Sequence, residues 1–75
     1  PNPEVFLKGA EALHLAPQNC LVFEDAIAGI EAAHNGGMLA VGIGEASVLT
    51  GADAVYANLK GVHMADILKK ISQQP

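Results

Sequence analysis

Apolar positions along this chain follow two rhythms, and the switches between them mark out helices and strands. Val5, Phe6, Gly9, Ala10 and Leu13 recur at helical spacing. Asn2 can cap and Pro3 suits a first turn, so a helix is predicted from there to about His14, with that stripe in the core. Pro17 stops the pattern. The continuous run Cys20-Leu21-Val22-Phe23, closing on Glu24, reads as a buried parallel strand. A second helix is expected over about Ala28 to Asn35, ended by Gly36-Gly37. Met38 to Ile43 follows as a second strand, Gly44 to Gly51 as a loop holding one helical turn, and Asp53 to Tyr56 as a short third strand. Met64, Ile67, Leu68 and Ile71 stand at i, i+3, i+4 and i+7, which predicts a last helix with Lys69 and Lys70 at its negative end. Strands alternating with helices imply right-handed crossovers and an α/β fold with a three-stranded parallel sheet.

The first strand ends on two adjacent carboxylates, Glu24 and Asp25, and runs into the small-residue helix start Ala26-Ile27-Ala28-Gly29. The carboxyl ends of parallel strands are where open α/β sheets place ligands. Successive strand residues point to opposite faces, so the two acids converge only if the chain leaves the strand between them, a turn that Gly29 and the alanines allow. Two carboxylates about 4 to 5 Å apart repel by roughly 3 to 4 kcal/mol at an effective dielectric of about 20, a cost that a divalent cation reverses. The bland alternative makes Glu24 an exposed strand end and Asp25 a plain helix N-cap.

Composition narrows the class. A chain of 75 residues is short for an unassisted core, yet 51% of it is hydrophobic with only 4% aromatic, which implies apolar area meant for contact with something else. No apolar run nears 18 residues, so no membrane partner is expected. A net charge of −4 with four Lys and Arg argues against nucleic acid. Cys20, as the single cysteine, has no internal disulfide partner and suits a reducing cytoplasm.

The residues surrounding the acidic pair carry a resemblance that runs from Pro1 to about Ile71. Pro1-Asn2-Pro3-Glu4-Val5-Phe6 opens the first helix, Phe23-Glu24-Asp25-Ala26-Ile27-Ala28-Gly29-Ile30-Glu31-Ala32-Ala33 spans the strand-to-helix junction, and Gly36-Gly37-Met38 follows. This pattern resembles the C-terminal part of the core domain of haloacid-dehalogenase superfamily phosphotransferases. The resemblance implies the C-terminal half of a Rossmann-like parallel sheet, with Mg²⁺ as cofactor held in part by Glu24 and Asp25. Gly42-Ile43-Gly44-Glu45, Leu49 and Ala52-Asp53-Ala54-Val55 resemble the tail of the β-phosphoglucomutases, which interconvert β-glucose 1-phosphate and glucose 6-phosphate through a phospho-aspartate. Related sugar-phosphate phosphatases share much of the pattern.

Family members begin with an Asp-x-Asp-Gly stretch that supplies nucleophile and acid/base, and a Lys precedes the Pro-x-Pro segment. Neither is present: the only aspartates are Asp25, Asp53 and Asp66. The resemblance therefore implies that residues 1–75 are the C-terminal part of such a core domain, without the nucleophile strand or the cap domain, and inactive alone. The partners implied are the remainder of the same enzyme and a phosphorylated sugar. In the family the Cys20 strand lies beside the nucleophile strand, so an open apolar sheet edge is expected here.

Other candidates read as structure. Gly42-Ile43-Gly44 opens like a dinucleotide fingerprint, but Ser47 stands at the third glycine's place, which favours a turn. His14, His34 and His63 lie on separate elements as helix-end or surface residues. Gly36-Gly37 has no Lys-Ser/Thr sequel and reads as a helix stop, Glu31 as solvated, and Tyr56 as packing. A non-catalytic α/β interaction module, docking through its apolar edge, is the second functional class.

Overall fold

A computed structural model describes residues 1–73. The order is α1 (Glu4–Ala12), a single 3-10 turn (Pro17–Asn19), β1 (Leu21–Glu24), α2 (Ile27–Asn35), β2 (Leu39–Ile43), β3 (Ala54–Tyr56) and α3 (Met64–Ser72). The three strands form one parallel sheet in the order β1-β2-β3. This is the expected α/β architecture.

Strand register decides which side chains share a face. Leu21 pairs with Leu39 and Glu24 with Gly42, while Val41 pairs with Ala54 and Ile43 with Tyr56. Alternation therefore puts Val22, Glu24, Ala40, Gly42 and Val55 on one face. That face meets the main core: Ala10 of α1, Ile30 and Ala33 of α2, Met38, Ala40 and Leu49 are buried together, with Phe6, Cys20, Val22, Ala52 and Val55 packed against them. The opposite face carries the buried Val41 and Ala54. α3 meets the sheet at β3, with Ile67 as its buried residue.

Two helices stop through left-handed residues that return the last amides to the helix. After α1, His14 has φ 56°, and the amides of Leu15 and His14 donate to Ala10 O (2.9 Å) and Glu11 O (3.0 Å). After α2, Gly37 has φ 79°, and Met38 N donates to Ala33 O at 2.9 Å. Gly36-Gly37 is the expected stop. At the other end of α1, Asn2 Oδ1 accepts from Glu4 N at 2.9 Å. The helix is shorter than its apolar spacing predicts, because Leu13 and His14 form the stop.

Two burial expectations fail. The α1 stripe is not core as a whole: Ala10 is buried and Phe6 half-buried, whereas Val5 is 79% and Leu13 69% exposed. Only Ala10 and Phe6 of α1 reach the core, and the flanks of the stripe are left uncovered. β1 is likewise half-buried, with Phe23 38% exposed. It pairs with β2 alone among the described residues, as expected of an open edge.

Candidate metal centre

β1 ends at Glu24, Asp25 lies in the bend that follows, and Ala26, in extended conformation (φ −130°, ψ 147°), is the N-cap residue of α2. The chain thus leaves the strand between the two acids, which is the condition for their carboxylates to serve one site. No side chain caps α2. Asp25 is therefore not the N-cap residue of α2.

Glu24 is half-buried and Asp25 exposed. The Glu24 side chain turns onto the face that α2 covers, as its register with Gly42 requires. Its carboxylate and Cγ occupy the space that a Cβ on Gly29 would fill. Gly29 was expected to loosen the turn into α2. It sits instead inside the helix, and its service is room for Glu24.

The chemistry of this corner is that of hard oxygen donors. Mg²⁺ is bound through one or two protein carboxylates and completed by waters and phosphate oxygens, and Glu24 and Asp25 fit that share. No third His, Cys, Asp or Glu joins them among the described residues. The first turn of α2 opens beside the pair with its amide end unclaimed by any side chain, an arrangement that favours an anion.

The remaining candidates lie elsewhere. Gly42 and Ile43 complete β2, Gly44 turns with φ 145°, and one helical turn follows, closed by Leu49 N donating to Glu45 O at 2.9 Å. That is a turn without the helix a dinucleotide would need. Tyr56 packs beneath Lys70, whose Nζ stands 4.6 Å from the ring centroid and donates to Val55 O at 3.2 Å. Lys70 therefore ties α3 to β3. His63 N donates to Asp66 Oδ2 at 3.1 Å at the start of α3. Cys20 is a free, half-buried thiol.

One constellation escaped the sequence. Asp53 Oδ2 accepts the Ala40 amide at 2.8 Å and meets His34 Nε2 at 2.8 Å, joining the end of α2 to β2 and the approach to β3. Nineteen residues separate His34 from Asp53, so no local spacing could announce the pair. A cavity of about 180 Å³ lies between α2 and the loop, lined by Ile27, Ile30, Glu31, His34, Leu49 and Thr50 among others. Neither Glu24 nor Asp25 lines it.

No protein-family model matches the chain. Curated relatives do. The chain is 46% identical over 55 residues to β-phosphoglucomutase of Bacillus subtilis, covering 73% of this chain and 24% of that protein. A haloacid dehalogenase-like hydrolase domain-containing protein of Arabidopsis thaliana is 34% identical over 71 residues, covering 89% of this chain and 22% of its own. Validoxylamine A 7'-phosphate phosphatase of Streptomyces hygroscopicus subsp. limoneus is 37% identical over 70 residues, or 89% of this chain and 33% of that one. Among solved structures, β-phosphoglucomutase from Clostridium difficile superposes with a TM-score of 0.89 at 37% identity, covering 97% of this chain and 33% of that one. The chain spans a fifth to a third of the length of the curated relatives it matches.

Proposed function

The chain belongs to the haloacid-dehalogenase superfamily, and on that premise we propose that it is the C-terminal part of the catalytic core of a Mg²⁺-dependent sugar-phosphate phosphotransferase, with β-phosphoglucomutase activity placed first. The observation that carries this reading is the acidic corner: Glu24 set into the face of α2 and Asp25 in the adjoining bend, at the carboxyl end of a parallel strand. Membership in an enzyme family favours catalysis over a bare interaction module.

Glu24 and Asp25 would hold Mg²⁺, which supplies charge neutralisation for the phosphoryl oxygens. Asp25, exposed in the bend, would serve as the more direct ligand. Glu24, drawn back against α2, would act through a water or orient the site. The amide end of α2 adds positive potential where the transferred phosphate would lie. The nucleophile, the acid/base and the phosphate-binding Lys would come from the rest of the same enzyme, in the cytoplasm, and neither nucleic acid nor membrane is a partner in this reading. No helix among the described residues is long and apolar enough to cross a membrane.

The test is Mg²⁺ titration of turnover with β-glucose 1-phosphate in the complete protein. Asp25→Ala should cut turnover and Mg²⁺ response sharply, and Glu24→Gln somewhat less. Unchanged rates in both would remove the pair from the site. The phosphatase relative supports a second reading, hydrolysis of a sugar phosphate. Release of inorganic phosphate without glucose 6-phosphate would favour it.

A further inference from the structure

We infer that Gly29 is a positioning residue: its missing side chain is the seat that sets the Glu24 carboxylate against the first turn of α2. Several observations converge on this. Glu24 Oε1, Cδ and Cγ all fall within the volume of a Cβ built on Gly29, so no residue with a side chain fits there while Glu24 keeps its place. Gly29 is helical, and its φ is not among the positive values of the chain, so the backbone itself makes no demand for glycine. It is half-buried as the third residue of α2, where glycine still gives up more backbone freedom on folding than alanine would. A residue unfavourable for its own helix and unnecessary for its backbone is explained by what lies over it.

Only the side chain of Glu24 can yield. Its Cα is held by the β1–β2 ladder opposite Gly42, and its side chain leaves the strand toward α2. A methyl group at position 29 would push the carboxylate outward and change its approach to Asp25. In its bearing on Mg²⁺ this inference rests on the reading proposed above. As a statement about the Glu24 seat it stands on the geometry alone.

The experiment is a double-mutant cycle in the complete protein, with Gly29→Ala, Glu24→Ala and the double variant, read first as melting temperature in the presence of a chelator. With Glu24 removed, Gly29→Ala should raise the melting temperature by about 1 to 3 °C, somewhat under the gain from replacing a mid-helix glycine because position 29 lies in the first turn. With Glu24 present, the same change should give no gain or a loss. Equal shifts in the two backgrounds would overturn the seat. If Gly29→Ala alone does not fold, recovery of folded protein in the double variant supports the seat, and continued failure overturns it.

The second readout is the Mg²⁺ concentration for half-maximal turnover, which Gly29→Ala should raise about tenfold or more, as loss of a ligand's supporting contact does. If Glu24→Ala itself leaves the Mg²⁺ response unchanged, the metal role of Glu24 fails while the melting-temperature cycle still decides the seat.

Discussion

Replacing Asp53 by alanine should cost more than its half-buried place before a three-residue strand suggests. Its Oδ2 is the acceptor for the Ala40 amide at 2.8 Å, and Ala40 is fully buried in β2. Removing the carboxylate leaves that amide with neither water nor a protein partner, which costs about 1 to 3 kcal/mol. The contact with His34 at 2.8 Å adds less: the His34 side chain is 37% exposed and that of Asp53 22%, so solvent screening holds the share to roughly 0 to 1 kcal/mol. Asp53→Ala should therefore destabilise by about 1 to 4 kcal/mol. Asp53→Asn keeps an oxygen for the Ala40 amide and loses only the charge, so it should cost under about 1 kcal/mol. Urea unfolding at neutral pH, with both variants compared at equal m-value, checks the pair. The reasoning is refuted if Asp53→Ala falls within about 0.5 kcal/mol of the parent, or if the asparagine variant is as damaged as the alanine one.

Three further outcomes follow from particular contacts. Gly42→Ala should destabilise by about 1 to 3 kcal/mol, because its Cβ would stand 3.0 Å and 3.2 Å from atoms of the buried Leu49; an unaltered thermal midpoint would contradict this. His14→Gly should stabilise by roughly 1 kcal/mol in chemical denaturation, since His14 holds φ 56° at the end of α1, and a loss of stability would show that the His14 side chain supports the stop. Residues 1–75 expressed alone should show no turnover of β-glucose 1-phosphate in a coupled assay and should self-associate in sedimentation runs through the β1 edge, with Phe23→Lys reducing the association. A monomeric, active segment would overturn both expectations.

The fold was legible because its signals are local. Every strand and helix announced itself through a run or period of apolar residues, and Pro17, Gly36 and Gly37 punctuate the chain where the elements break. What stayed hidden was what lies between elements. The exposure of Val5 and Leu13 depends on how little of α1 the core takes in, only Ala10 and Phe6, a matter of tertiary packing that periodicity does not carry. The Asp53–Ala40–His34 junction joins residues 13 and 19 positions apart. At the acidic corner, residue types and the break after the strand were readable, and the comparisons uphold the family they suggested. The service of Gly29 was not, since a glycine five residues after a strand has no sequence mark that separates a turn-former from a seat.

Strand order follows chain order across the sheet. As the polypeptide leaves the ribosome, β2 meets an already finished β1 and β3 an already finished β2, each after a short span of intervening chain. Growth in this direction never requires threading a strand between two neighbours. Among the described residues the flank of β1 is left unpaired, so a further strand can join there without disturbing the order of the other three.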